Sequence, residues 1–126
     1  MTPVLLAVVV AVAGGAGAVC RYLLDAFVKA VLPVRFPLGT LIVNVTGSFL
    51  LGVVTGLVAG QLLPAEWGII AGTGFLGGYT TFSTASFETV RLAQAGRWGA
   101  AVANGFGMLA ASLLAVGAGL WLGAVL

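Results

Sequence analysis

The sequence is poor in charge, histidine and cysteine. Only 6% of its 126 residues are charged, whereas a soluble domain carries about 25%. Because so few charges cannot cover a water-exposed surface, a soluble globular domain is excluded. There is no His, and the single Cys20 excludes a disulfide framework and a cysteine metal cluster. The carboxylates Asp25, Glu66 and Glu88 lie far apart and the net charge is only +2, so we expect neither an enzyme nor a nucleic-acid-binding protein.

The chain is instead rich in apolar residues, at 61%, and in glycine, with 20 residues. A helix needs about 20 residues to cross a hydrocarbon core about 30 Å thick. Short segments at 32–37, 61–66 and 92–97, each with Pro or Gly and a charged residue, separate four such stretches, at 4–31, 38–60, 67–91 and 98–124. The first has no Lys or Arg before it, so we interpret it as a span rather than a signal peptide. We therefore predict an all-α membrane protein, a single domain of four transmembrane helices over residues 1–126.

The third predicted span is not uniformly apolar. It contains Gly77 and Gly78, about 15 Å into the membrane at ~1.5 Å per residue. Six hydroxyl residues follow within eight positions. They are Tyr79, Thr80, Thr81, Ser83, Thr84 and Ser86. A glycine pair weakens a helix and nearby hydroxyls can satisfy freed backbone groups, so we predict that the third helix is broken near the midplane.

The second predicted span carries small and polar residues at steps of four. Thr40, Asn44 and Ser48 share an arc of about 80°, and Gly52, Gly56 and Gly60 continue on a rotated face. One interpretation is a polar track along a pathway followed by a packing seam; the other is that all six serve helix packing. Packing is the simpler interpretation of the glycines. For Asn44 a functional role is favoured, because burying an amide is a costly way to pack.

Three further side chains have alternative interpretations. Hydroxyl and amide groups can replace the water around a small anion, and the positive edge of the Phe82 ring could assist; otherwise Phe82 only packs. Arg21 either attracts anions or extends to the membrane surface. Glu88 is expected to pair with Arg91 along the helix.

Taken together, these motifs resemble the Fluc/CrcB family of small fluoride channels, over essentially the whole chain. The first motif is Gly14-Gly15-Ala16-Gly17-Ala18 with Arg21-Tyr22. The second is Gly39-Thr40, Asn44 and Gly47-Ser48. The third is Gly74, Gly77-Gly78 and Thr80-Thr81-Phe82-Ser83-Thr84, followed by Glu88.

The resemblance implies a four-helix subunit that pairs with an oppositely oriented subunit into an antiparallel (inverted) dimer with two pores. It implies a structural Na⁺ at the dimer interface, held by the backbone carbonyls of Gly77 and Thr80. It also implies passive export of fluoride, a substrate that the residues alone do not identify beyond a small anion. The expected anion-pathway residues are Asn44, Phe82, Thr81, Ser83, Thr40, Ser48, Ser112 and Arg21.

Two positions depart from the family pattern. Ala85 stands where members commonly carry a second pore phenylalanine. In the fourth span, Met108 follows Asn104 by one turn where a serine is common, and Ser112 comes a turn later.

The basic residues are distributed on one side of the predicted topology. Arg21, Lys29, Arg35, Arg91 and Arg97 all lie on or toward the side of the 32–37 and 92–97 loops. The positive-inside rule therefore predicts that these loops are cytoplasmic and that both termini lie outside the plasma membrane. Such a bias favours one fixed-topology half of a heterodimer with a paralogous chain; the alternative is a homodimer that inserts in both orientations.

Two other functions remain in competition with the fluoride channel. A small multidrug-type exporter needs an acidic residue within the first helix, but residues 4–20 contain none and Asp25 lies near the interface. A non-conducting partner subunit is compatible with Ala85 and Met108.

Overall fold

The computed structural model describes residues 1–126 and is entirely helical, without β-strands. Helix α1 covers Pro3–Val31 and α2 covers Leu38–Ala59. Helix α3 covers residues 65–79 and contains a π-helical stretch, Ile69–Leu76. Helix α4 covers Ser83–Gln94, and α5 covers Trp98–Val125 with a π-helical stretch at Ala103–Gly107.

Hydrophobic length located these helices within a few residues of their observed ends. Helices α1, α2 and α5 are each long and apolar enough to cross a membrane, in keeping with a multi-pass membrane protein. The third predicted span corresponds to α3 and α4 together. Neither of them alone has the length of a full span.

The helical hydrogen bonding is interrupted at residues 80–82, between α3 and α4. Thr80 is extended, with φ −81° and ψ 160°. Gly77 and Gly78 themselves remain helical, so the glycine pair is not the point at which the helix stops. Instead, Gly78 lies against the backbone of Gly14 on α1, where a methyl group would collide with the Gly14 carbonyl carbon.

Helices α2 and α5 pack along a seam of glycines. A Cβ on Gly52 would lie 3.0 Å from the Gly119 Cα, and one on Gly56 would lie 2.9 Å from the Gly123 Cα. The close packing predicted for Gly52 and Gly56 is therefore present, with partners on α5 that also lie four residues apart. Gly60 does not belong to this seam, since it is exposed at the end of α2.

A small apolar core joins α2 to α3. It consists of Val43, Leu76 and Tyr79, with Leu24 of α1 and Phe75 packed against it. The Tyr79 hydroxyl lies 2.9 Å from the Thr46 hydroxyl. This core holds the end of α3 against α2 and so positions the interruption that follows.

Candidate functional site

An open groove of about 830 Å³ lies beside the interruption, among α2, α3, α4 and α5. No Asp, Glu, Lys or Arg side chain lines it. Seven of the ten predicted site residues do. They are Asn44, Ser48, Gly77, Thr80, Thr81, Phe82 and Ser112.

Asn44 of α2 bonds to the backbone of Thr81 at the interruption. Its Oδ1 accepts from the Thr81 N–H at 2.8 Å, and its Nδ2 donates to the Thr81 carbonyl oxygen at 2.8 Å. The amide thus supplies the donor and acceptor that Thr81 lacks once the helix is interrupted. Asn44 therefore has a structural role, which is to hold this non-helical segment against α2, and the functional role favoured for it stays a prediction.

Met108 of α5 contacts the same amide. The Asn44 Nδ2 lies 3.1 Å from the Met108 Sδ, and both residues are buried. Because an amide has two N–H donors, this contact and the bond to Thr81 occupy both. A thioether is a weak acceptor on a flexible side chain. The N–H that points to Met108 can therefore bind another acceptor more easily than the N–H that binds Thr81. The sequence identified Met108 only as a departure, since nothing in its spacing reveals a contact across helices.

The threonine hydroxyls at the interruption bond within the chain. The Thr80 hydroxyl donates to the Leu76 carbonyl oxygen at 2.9 Å. The Thr81 hydroxyl accepts from the Thr84 N–H at 3.1 Å and so satisfies a free donor at the start of α4. These two hydroxyls thus bond to the backbone on either side of the interruption.

Three serine hydroxyls in the groove have no hydrogen-bond partner in the chain. Ser48 lies on α2, Ser86 on α4 and Ser112 on α5, so donors face the groove from three helices. Ser86 belonged to the predicted hydroxyl run but was not among the predicted site residues. Phe82 also lines the groove, and its side chain is 87% exposed.

Three predicted site residues lie outside the groove. Ser83 is exposed at the start of α4. The Arg21 Nε donates to the Gly78 carbonyl oxygen at 3.3 Å, on the side of α3 that faces α1. The buried Thr40 hydroxyl donates to Glu88 Oε1.

The predicted pairing of Glu88 with Arg91 is wrong. Glu88 turns toward Thr40 of α2, and the Arg91 guanidinium lies 5.6 Å from the centre of the Phe87 ring. Glu88 thus accepts from a hydroxyl of α2 and does not form an ion pair within α4.

The carbonyls predicted to hold Na⁺ meet one requirement of such a site. Gly77 and Thr80 line the groove, and neither carbonyl oxygen accepts a hydrogen bond within the chain. Free carbonyl oxygens at a helix interruption are ligands that suit Na⁺. These residues therefore fit a sodium ion by their chemistry.

Asn104 of α5 is a polar residue that the sequence did not assign to the site. It is 1% exposed and lines the groove. Its Nδ2 donates to the Thr89 hydroxyl at 2.8 Å, and that hydroxyl donates to the Ala85 carbonyl oxygen at 2.8 Å. The Asn104 Oδ1 is buried without a partner. The Ala85 carbonyl oxygen thus accepts from the Thr89 hydroxyl that binds the Asn104 amide. The small side chain of Ala85 does not indicate this contact.

Comparison with known proteins gives a consistent set of relatives. Residues 8–120 match the family model described as CrcB-like protein, Camphor Resistance (CrcB). A protein of Leifsonia xyli subsp. xyli, named Fluoride-specific ion channel FluC 1, is 58% identical over 123 residues, which cover 98% of this chain and 89% of the relative. The Fluoride-specific ion channel FluC of Acidobacterium capsulatum is 45% identical over 117 residues, which cover 92% and 90%. The FluC 3 of Bifidobacterium longum is 44% identical over 100 residues, which cover 79% and 83%.

Proposed function

The chain belongs to the CrcB family, and from this premise we propose that it is a subunit of a fluoride-selective channel through which fluoride leaves the cytoplasm passively. The observation that carries the proposal is the uncharged groove, lined by hydroxyl and amide groups at the helix interruption. Fluoride is small and strongly hydrated, so a pathway for it has to offer donors at close range without a fixed charge that would trap it.

The serine hydroxyls and the Phe82 ring are the groups we assign to the ion. Ser48 and Ser112 line the groove from the neighbouring helices α2 and α5 with their hydrogens free, so they can replace water around an anion. Phe82 stands exposed in the same groove, where the positive edge of its ring attracts an anion.

Asn44 acts on this pathway in two ways. Its bonds to Thr81 keep the interruption open, and its second N–H is available to the ion when the Met108 thioether moves aside. Thr81 contributes through its backbone position and Thr80 through its free carbonyl. Ser83, Thr40 and Arg21 are assigned to the approaches of the pathway, because they lie outside the groove.

We propose further that a second, oppositely oriented subunit covers the groove. The free serine hydroxyls and carbonyl oxygens of the groove should not face lipid, since unsatisfied polar groups are costly in hydrocarbon. The Gly77 and Thr80 carbonyls of the two subunits would then hold a Na⁺ at the dimer interface. The ion would supply positive charge that offsets the carbonyl dipoles and joins the subunits.

The one-sided distribution of basic residues supports a fixed orientation, with both termini outside and the 32–37 and 92–97 loops in the cytoplasm. A chain with one orientation needs a partner with the other, so we assign a paralogous chain as the partner. The numerals in FluC 1, FluC 2 and FluC 3 among the relatives agree with the existence of such paralogues. A homodimer of mixed orientation is the alternative.

Anion efflux from liposomes tests the proposed function. The purified chain, reconstituted alone and with an oppositely biased paralogue, should release fluoride and retain chloride in at least one of the two preparations. Equal release of both anions would contradict a fluoride channel. The chain would instead be a non-conducting partner subunit if it released no fluoride when reconstituted alone, and if the flux measured with the paralogue did not change when this chain's groove was altered. The contact of Met108 with Asn44 is compatible with that role.

A further inference from the structure

A second cavity, of about 430 Å³, shares no lining residue with the groove. It lies where the end of α1, the segment before α2, the end of α4 and the segment before α5 meet. These are the helix ends on the side that the topology assigns to the cytoplasm. The cavity is therefore at the level of the membrane–water interface and separate from the groove, although its Glu88 accepts a hydrogen bond from Thr40, which we assigned to an approach of the pathway.

Four of the five basic residues of the chain surround this cavity. They are Lys29, Arg35, Arg91 and Arg97, with Glu88 as the only carboxylate in the lining. The positive-inside rule requires basic residues on one side of the membrane, but it does not require that they converge on one cavity from four segments of the chain. The convergence is a property of the fold and calls for a ligand.

The contacts of these side chains leave donors free for an anion. Arg97 Nη1 donates to the Arg35 carbonyl oxygen at 2.9 Å, which brings the two loops together and uses one of the five N–H donors of Arg97. The Arg35 guanidinium has no partner in the chain. Lys29 pairs with Asp25 at 2.9 Å, and Arg91 lies over Phe87. The arginines of the two loops therefore keep N–H donors that no group of the chain occupies.

The remainder of the lining is apolar and suits an acyl chain. Val28, Leu32, Val34 and Phe36 lie beside the arginines, and Leu32 and Val34 are exposed. A ligand that contacts both the arginines and the apolar side chains would carry a phosphate next to a hydrocarbon chain. A free anion would leave the apolar part unfilled.

We propose that this cavity binds the phosphate headgroup of an anionic phospholipid, with Arg35 and Arg97 as its ligands. Basic pockets at cytoplasmic helix ends are a known form of lipid recognition. Guanidinium groups also bind phosphate oxygens in a bidentate manner, which an ammonium cannot do.

Native mass spectrometry of the purified protein, titrated with phosphatidylglycerol or with phosphatidylcholine, tests the proposal. Phosphatidylglycerol should bind more tightly than the neutral lipid. Arg35→Gln and Arg97→Gln should each weaken phosphatidylglycerol binding about fivefold, the effect of one cation near an anionic headgroup. Arg21→Gln removes the same charge outside the cavity and should change this binding by less than about twofold.

The conservative variants Arg35→Lys and Arg97→Lys keep the charge and should retain part of the affinity, which separates ligand loss from misfolding. Equal binding of the two lipids, or equal losses for Arg21→Gln and Arg35→Gln, would overturn the proposal. Displacement of phosphatidylglycerol by inorganic phosphate would overturn the assignment to a lipid. Because the measurement contains no fluoride step, its outcome is independent of the proposed channel function.

Discussion

Asn44 shows how one polar side chain can hold a non-helical segment against a helix. It lies on α2, yet its amide bonds to the backbone of Thr81 in the segment between α3 and α4. The sequence identified Asn44 as unusual because an amide within an apolar span needs partners. Which partners it has depends on how α2 packs against the interruption, and this information is absent from the spacing of residues along α2.

Asn44→Ala should both destabilise the protein and abolish fluoride flux. The Thr81 N–H and C=O lose their partners, so we expect a loss of about 1–3 kcal/mol in the free energy of unfolding. Denaturant unfolding in detergent measures the loss. The control is Ser48→Ala on the same face of α2, which breaks no bond in the chain and should cost less than about 0.5 kcal/mol. Equal costs for the two variants would contradict the role given to Asn44.

Met108→Leu tests whether the thioether withholds a donor from the pathway. The substitution nearly preserves side-chain volume and should cost less than about 1.5 kcal/mol of stability. It removes the acceptor 3.1 Å from the Asn44 Nδ2, so fluoride flux through liposomes should rise about two- to fivefold, the equivalent of one weak hydrogen bond. If flux falls while stability is kept, Met108 instead helps to bind the ion.

At the scale of helices, the apolar stretches and the short segments between them, which contain Pro or Gly and a charge, were sufficient to locate the helices to within a few residues. The helical hydrogen bonding is interrupted within the hydroxyl run, whereas a break at the membrane midplane stays a prediction. The position within that region was not predictable from glycine alone, because Gly78 is needed for close contact with Gly14 and remains helical. Likewise, the partners Gly119 and Gly123 were missed, although their spacing of four residues is the same signal that was recognised in α2.

Gly52→Ala should disrupt the α2–α5 seam. The new methyl group would lie 2.8 Å from the Leu120 N and 3.0 Å from the Gly119 Cα, and backbone cannot move aside as a side chain can. We expect a loss of about 1–3 kcal/mol, measured by denaturant unfolding in detergent. Gly117→Ala on α5 meets no atom within 4 Å and serves as the control. An unchanged unfolding free energy for Gly52→Ala would show that the seam is loosely packed.

At the scale of the whole molecule, the groove and the cavity at the helix ends differ in charge. The groove carries polar groups without charge, whereas the cavity at the helix ends gathers most of the basic residues. The low charge of the sequence is consistent with an uncharged groove, and the orientation inferred from its one-sided basic residues stays a prediction. The sequence did not predict that the basic residues surround a cavity, nor that Asn104 is buried beside Thr89, because both depend on packing between distant segments.

Reporter fusions at the C-terminus test the orientation of the chain in the membrane. Because all five basic residues lie on or toward one side, a reporter active only outside the cytoplasm should be active, and one active only in the cytoplasm should be silent. The same fusions on Arg91→Gln/Arg97→Gln should show a larger inverted fraction. Comparable signals from both reporters on the unaltered chain would favour the homodimer of mixed orientation.

Fluoride efflux from liposomes that contain the Phe82→Ile variant tests whether the uncharged groove is the route of fluoride. Phe82 is 87% exposed and fills no core, so the variant should unfold at the same denaturant concentration as the unaltered chain. With the fold intact, fluoride efflux should fall at least about tenfold, because the ring edge that attracts the anion is gone. Efflux at the unaltered rate would contradict that route.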